Sequence, residues 1–314
     1  MRLKRIKIIV DLFWGEIMKN IFFFFLAVIF LFAININAQE NDNNDIEIFN
    51  DNEFWDEDVN FFTDLPIIEV LYGIEIPSIH KDAFSSSFNK PSSLEGRFGY
   101  LDIDKDLYKS SMFSINGNYL FIGYLTNDLS FNKNDIDNKK FSVDVWNIGV
   151  SEFDSYGWEF SENFNLQFYT SGSLLWSGVS CNDSLLNQAD YNKISRITDG
   201  VRFGDRYETG FKFQFYKPLS IVAGFQRHLI YSRVLFWKWT GSKIVQGIGE
   251  AIVNMFNDDI MKSSPNFGPI IYFILNTAYN YGWYELCKSN MNFPFSTEEP
   301  LIIDSFKFGF NIVF

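Results

Sequence analysis

Cysteine and histidine are scarce: the 314-residue chain holds two of each. Two cysteines cannot build a disulfide scaffold or a zinc ribbon, and His80 and His228 form no metal-binding pair. Basic residues are in deficit, 26 Lys and Arg against 39 Asp and Glu, and a net charge of −13 repels the phosphates of a nucleic-acid partner. A Walker loop, a dinucleotide fingerprint and a calcium loop are also missing, so no cofactor is implied. Gly247 and Gly249 follow no strand, and close helix packing explains them better. What the chain has in quantity is apolar and aromatic surface, 47% and 19% of its residues, far more than a disordered chain carries.

The compartment is written near the N-terminus. Met18-Lys19-Asn20 precedes an apolar run from Ile21 to Ile34, followed by Asn35-Ile36-Asn37-Ala38. That is the layout of a secretory signal cleaved after Ala38. A membrane anchor would need about 20 apolar residues, and Asn35 interrupts the run too early. Trp14-Gly15-Glu16 has purine-rich codons that can spell a ribosome-binding sequence, which marks Met18 as the expected start and residues 1–38 as extension plus signal. Residues 39–64 then carry ten acidic side chains and no basic one. Such a segment repels itself and stays solvated, although Phe49, Phe54, Trp55, Phe61 and Phe62 could dock it onto a periplasmic or surface partner.

From Leu65 to Phe314 the dominant period is two, which sends successive side chains to opposite faces of a strand. Ile68, Val70, Tyr72, Ile74 and Ile76 oppose Glu69, Gly73 and Glu75; Phe113, Ile115, Tyr119 and Phe121 oppose Ser114, Asn116 and Asn118. Phe164, Leu166 and Phe168 alternate with Asn163, Asn165 and Gln167. Tyr207 to Phe215 and Leu219 to Phe225 form a hairpin about Lys217-Pro218, and Phe141, Val143 and Val145 mark another strand. A soluble sandwich also alternates. Aromatic apolar faces, polar opposite faces, and short turns set against the long polar stretches 127–139 and 180–203 favour a membrane barrel.

The final strand strengthens that choice: Phe306, Phe308, Phe310, Ile312 and Phe314 share one face, with Lys307, Gly309 and Asn311 on the other. With the export signal and the repeated strands, Ser305 to Phe314 resembles bacterial outer-membrane β-barrel proteins as a class. The resemblance implies that those five residues are the signal read by the barrel-assembly machinery, and that outer-membrane lipid surrounds the chain. The fold class expected is all-β dominated, an antiparallel transmembrane β-barrel of about 8–10 strands, each of about 9–11 residues. Weaker stretches at Gly96 to Ile103, Tyr156 to Ser161 and Gly172 to Val179 supply the remaining strands.

Before the last strand, over about residues 240–290, the period changes. Ile244, Ile248, Ala251, Ile252, Met255 and Phe256 recur at helical spacing, with Lys243, Gln246, Glu250, Asn254 and Asn257 opposite. Ser263-Ser264-Pro265 breaks this helix, and Pro269 opens a second one through Leu286. The hairpin could cap the mouth or lie in the interface, but a plug is favoured, because Ile270 to Leu275 needs cover and small barrels fill their interiors.

Chemistry is sparse. His228 with Ser232 lacks a nucleophile turn. Arg202, Asp205, Arg206, Glu208 and Lys212 form the densest mixed-charge cluster and read as lumen charges that satisfy one another. Trp237, Trp239, Trp283 and Tyr284 read as anchors at the membrane interface. The sequence therefore points to a non-enzymatic barrel of the outer membrane with a structural, adhesive or ligand-binding role. A porin-like channel, a lipid-modifying enzyme and a soluble periplasmic β-domain are the rivals.

Overall fold

The computed structural model describes residues 65–79, 86–107, 111–130, 140–161, 163–181, 187–198 and 200–314. The Met18 start, the signal segment, the acidic stretch 39–64 and His80 lie outside these residues.

Alternation lays down eight strands among the described residues: β1 (Leu65–Ser78), β2 (Ser92–Leu107), β3 (Met112–Thr126), β4 (Val143–Ser161), β5 (Phe164–Cys181), β6 (Val201–Tyr216), β7 (Leu219–Ile230) and β8 (Leu301–Val313). Each pairs antiparallel with its neighbours in chain order, and β8 returns to β1 through Val70↔Phe310 and Tyr72↔Phe308, closing the barrel and leaving no edge. Both termini of the barrel lie at the end with the short β2–β3, β4–β5 and β6–β7 turns, and the longer connections all lie at the other end. Strands run from 12 to 19 residues, longer than a bare membrane crossing needs. Of the three weaker stretches, the first supplies the eighth strand and the other two extend strands already read. Gly96 to Ile103 is the middle of β2, Tyr156 to Ser161 is the end of β4, and Gly172 to Val179 belongs to β5.

Facing follows residue parity. On β1 the glutamates Glu69 and Glu75 point inward and Ile68 to Ile76 outward, and on β8 Lys307 and Asn311 point inward while Phe306, Phe308 and Phe310 are exposed. Strand β3 reverses the expectation: Phe113, Ile115, Tyr119 and Phe121 are buried in the interior, and Asn116 and Asn118 face outward. The reason is volume and charge, since a small barrel packs its interior with side chains and rings there can lie against buried cations.

Three helices complete the described chain: α1 (Gln188–Thr198), α2 (Phe236–Ser263) and α3 (Gly268–Cys287). Asn187 caps α1, its side-chain oxygen accepting from the Asp190 amide at 2.8 Å. Helix α1 covers the long-loop end, where Ile194 and Ile197 join Phe141, Val143, Val145, Val179, Ile230 and Leu301 in one apolar layer. Asp190 ties this lid to the β1–β2 connection by accepting from the Ser86 amide and hydroxyl at 3.0 and 2.7 Å.

The α2–α3 hairpin is not a plug. Its partners are outward-facing side chains: Tyr272 bonds Thr170 at 2.9 Å, Thr277 bonds Thr209 at 2.7 Å, and Lys243 pairs with Asp205. With 28 residues, α2 rises about 42 Å, enough to run down the barrel wall. Its far end packs Met261 against Met112 beside the β2–β3 turn, and α3 climbs back to set Trp283 and Cys287 beside Leu229 and Ile302. The lumen has no room for the hairpin because it is already filled.

Candidate functional site

The lumen is a balanced ion cluster. Arg97 on β2 donates from Nη1 to Glu69 at 2.8 Å, to Tyr119 at 3.0 Å and to Glu208 at 3.0 Å, and from Nε to Glu95 at 2.6 Å. Arg206 on β6 reaches back across the barrel to Glu95 at 3.0 Å, Lys212 pairs with Glu69 at 3.0 Å, and Lys307 bridges Glu75 at 3.2 Å and Glu95 at 3.4 Å. Four carboxylates, Glu69, Glu75, Glu95 and Glu208, thus face four cations, Arg97, Arg206, Lys212 and Lys307, so the layer is neutral. Aromatic rings complete it: Arg206 lies 3.6 Å over Phe121, and Lys212 lies 4.5 Å over Phe153. These contacts account for the inward rings of β3 and β4.

Apolar layers close the cluster on both sides, the α1 lid at the long-loop end and Ile67, Leu101, Phe113 and Ile115 toward the short-turn end. A void between Arg206, His228 and Lys307 measures about 10 Å³, space for one water at most.

The sequence-derived site residues fall in different places. Arg206, Glu208 and Lys212 meet in the lumen cluster, and Arg202 stands above them, its Nε donating to the Ile197 carbonyl at 3.3 Å. Asp205 has the other parity and faces outward, holding Lys243 of the hairpin. Composition and motif do not single out Glu69, Glu75, Glu95, Arg97 and Lys307 as site residues; their signal is a charge at every second position opposite an apolar row. His228 is buried in the lumen, its Nε2 3.3 Å from Ser177, while Ser232 donates to Glu298 at 2.9 Å. Cys181 and Cys287 remain thiols. Of the four aromatics, Trp237 is 82% exposed, Trp239 is half-buried, and Trp283 and Tyr284 are buried between α3 and the wall. Phe306, Phe308 and Phe310 project outward, with Ile312 and Phe314 half-buried beyond them.

The outer wall carries the second feature. Phe98, Tyr100, Ile122, Trp146, Ile148, Trp176 and the β8 phenylalanines are all exposed around the barrel, a surface unsuited to water. The hairpin continues it with inverted polarity. Ser242, Gln246, Asn257, Asn276 and Asn280 are buried against the barrel or the partner helix, while Ile244, Ile248, Ile252, Met255, Phe256, Ile270 and Ile274 are exposed. Soluble helices do the reverse. Neither helix is apolar enough throughout to cross a membrane alone. Each has one apolar side, which suits a helix lying on a barrel wall.

Between hairpin and wall lies a groove of about 630 Å³. Glu152, Asp154, Thr170, Gly172 and Tyr207 line its barrel side, and Gln246, Gly247, Glu250 and Asn280 its hairpin side.

A closed, even-stranded antiparallel barrel with an aromatic apolar exterior and a polar interior is a transmembrane β-barrel of the bacterial outer-membrane class. No protein-family model matches the chain, and no curated protein matches it. Solved structures with a likeness to it include Neisserial surface protein A (NspA), at 10% identity and a TM-score of 0.38 over 79% of this chain and 97% of that one. Another is Ail, the attachment invasion locus protein of Yersinia pestis, at 7% identity and a TM-score of 0.31 over 80% and 99%. At these values the likeness carries no function across.

Proposed function

We propose that the chain is a non-conducting, non-enzymatic barrel of the outer membrane that serves the cell envelope by binding a ligand at its outer wall. One observation carries the reading: Arg97–Glu208 and Arg206–Glu95 bridge the lumen from β2 to β6, with apolar layers above and below. Ions would have to cross an apolar lid and a neutral, fully paired charge layer. That arrangement supports a sealed scaffold over a porin-like channel, and the burial of His228 within it leaves a lipid-modifying enzyme without an accessible base. The exposed aromatic belt counts against a soluble periplasmic domain. By the usual rule, short turns face the periplasm and long connections the outside, so the α1 lid is extracellular. Strand β8, with Phe306, Phe308, Phe310, Ile312 and Phe314, then serves as the recognition element for the barrel-assembly machinery.

Reconstitution into a planar bilayer tests the reading. Protein whose gel band is heat-modifiable, and hence folded, should insert without discrete conductance steps. Steady ohmic steps from such protein would refute the sealed lumen, and recovery of the chain among soluble periplasmic proteins would refute the membrane assignment.

A further inference from the structure

We infer that the groove between the α2–α3 hairpin and the β4–β6 wall binds an amphiphile whose polar end is an ammonium group. The inference rests on the reading of the wall as lipid-facing. Glu152 and Asp154 lie midway along β4 and point outward; their cross-strand neighbours are Asn118 and Gly172, and Asn116 and Thr170, none of which is cationic. Glu250 of α2 lines the opposite side. None of the three carboxylates is in an ion pair with a described residue, and the nearby Lys243 is held by Asp205. Hydrocarbon tails do not tolerate such carboxylates. The hairpin keeps tails away from them yet leaves the space beside them open.

Two further observations point to an occupant. The Tyr207 hydroxyl lines the groove in a residue only 5% exposed; Thr209, Thr277 and Asn280 stand near it, but none meets it at hydrogen-bonding geometry. A Cβ built at Gly172 or at Gly247 would touch nothing within 4 Å, so the groove is open on both its barrel side and its hairpin side. Its volume is that of a small-molecule site. Toward the long-loop end the lining turns apolar with Leu120, Val150 and Leu174, a bed for an alkyl chain. Toward the short-turn end, exposed Asn116, Asp102 and Asp104 continue the acidic, polar surface along β3 and β2, giving a charged head a wet route in from the membrane surface. An ammonium group supplies the countercharge and the donors that carboxylates and a phenolic oxygen accept.

The test titrates dodecylammonium into the folded chain in neutral maltoside micelles by calorimetry, with butylammonium and dodecyl sulfate in parallel. Saturable one-site binding of dodecylammonium is expected, at least tenfold tighter than either comparator. Gly247→Leu fills the groove without changing charge and favours helix, and Gly172→Val fills it from the barrel side with a strand-forming residue. Each should weaken binding at least tenfold, as should the double variant Glu152→Gln/Asp154→Asn. Equal binding of butylammonium would overturn the amphiphile assignment. Binding unchanged in both glycine variants would place the cation on the acidic surface at large, and no binding by the native chain would end the proposal. Conductance separates the two readings: a conducting chain that still binds loses the sealed lumen and keeps the groove, whereas a silent chain that does not bind loses the groove alone.

Discussion

Removing one charge from the lumen should cost far more than removing one from the surface. Glu208 is fully buried and accepts from Arg97 Nη1 at 3.0 Å and from the Tyr169 hydroxyl at 2.7 Å, besides pairing with Arg97 Nη2. Glu208→Gln keeps the shape but leaves four cations facing three carboxylates. Breaking a buried pair by neutralising one partner costs about 3–5 kcal/mol, roughly two to three and a half decades in the unfolding constant. The double variant Arg97→Met/Glu208→Leu restores a balance of three to three, because Glu69 keeps Lys212 while Glu95 keeps Arg206 and Lys307. It should recover most of the loss, with a coupling above about 2 kcal/mol between the two positions, as for groups in one network. Urea unfolding in lipid vesicles, followed by tryptophan fluorescence and by the heat-modifiable gel band, reads both. The reasoning fails if Glu208→Gln costs less than about 1 kcal/mol, as an exposed pair would, or if the losses at the two positions simply add.

Two further substitutions probe the outer wall and the seam. Ile252→Lys places a charge on the exposed face of α2, and in lipid it should destabilise the folded chain by about 2–4 kcal/mol; a shift within about 0.5 kcal/mol, normal for a water-facing position, would show that this face does not meet acyl chains. Gly309 points inward where β8 meets β1, and a Cβ there would fall on the Val70 carbonyl oxygen. Gly309→Ala should therefore cost about 1–3 kcal/mol and lower the yield of heat-modifiable barrel, and a fully folded variant of native stability would contradict the close approach of these two backbones.

Parity made most of the barrel legible in the sequence. On β1, β6, β7 and β8 the apolar row and the outward-facing row coincide, so Ile68 to Ile76, Tyr207 to Phe215, Leu219 to Phe225 and Phe306 to Phe310 are placed by alternation alone. On β3 they do not coincide. Tyr119 and Phe121 turn inward because Arg97 and Arg206 lie over their rings, a demand set by strands β2 and β6 and invisible within β3. The same limit separates Asp205 from Arg206: one cluster in sequence becomes two faces of one strand, and only parity with Glu208 and Lys212 tells them apart. Trp283 and Tyr284 show it again, being buried against Tyr207 and Leu229 where composition suggested an interface.

The hairpin is legible as helices in the sequence, and it lies on the wall instead of plugging the lumen for a reason that bears on function. The amphipathic pattern of α2 fixes which residues share a side, but which side is buried depends on the solvent. In water Ile244, Ile248, Ile252 and Met255 would seek a core, and the lumen was the core on offer. In lipid the polar side of the hairpin needs cover instead, and the wall supplies partners for it, Asp205 for Lys243 of α2, and Thr209 and Thr170 for Thr277 and Tyr272 of α3. Those partners satisfy part of that polar side. Beside them Glu152, Asp154 and Glu250 make no ion pair with a described residue, and the Tyr207 hydroxyl makes no well-formed hydrogen bond, around an open groove. A hairpin that served only to strengthen the barrel would gain from closing that gap, for instance with alanine or leucine at Gly247, where there is room and where helix propensity favours the change. The gap lined by carboxylates is where a ligand would sit, which makes the hairpin one wall of the proposed binding site and not simply a brace.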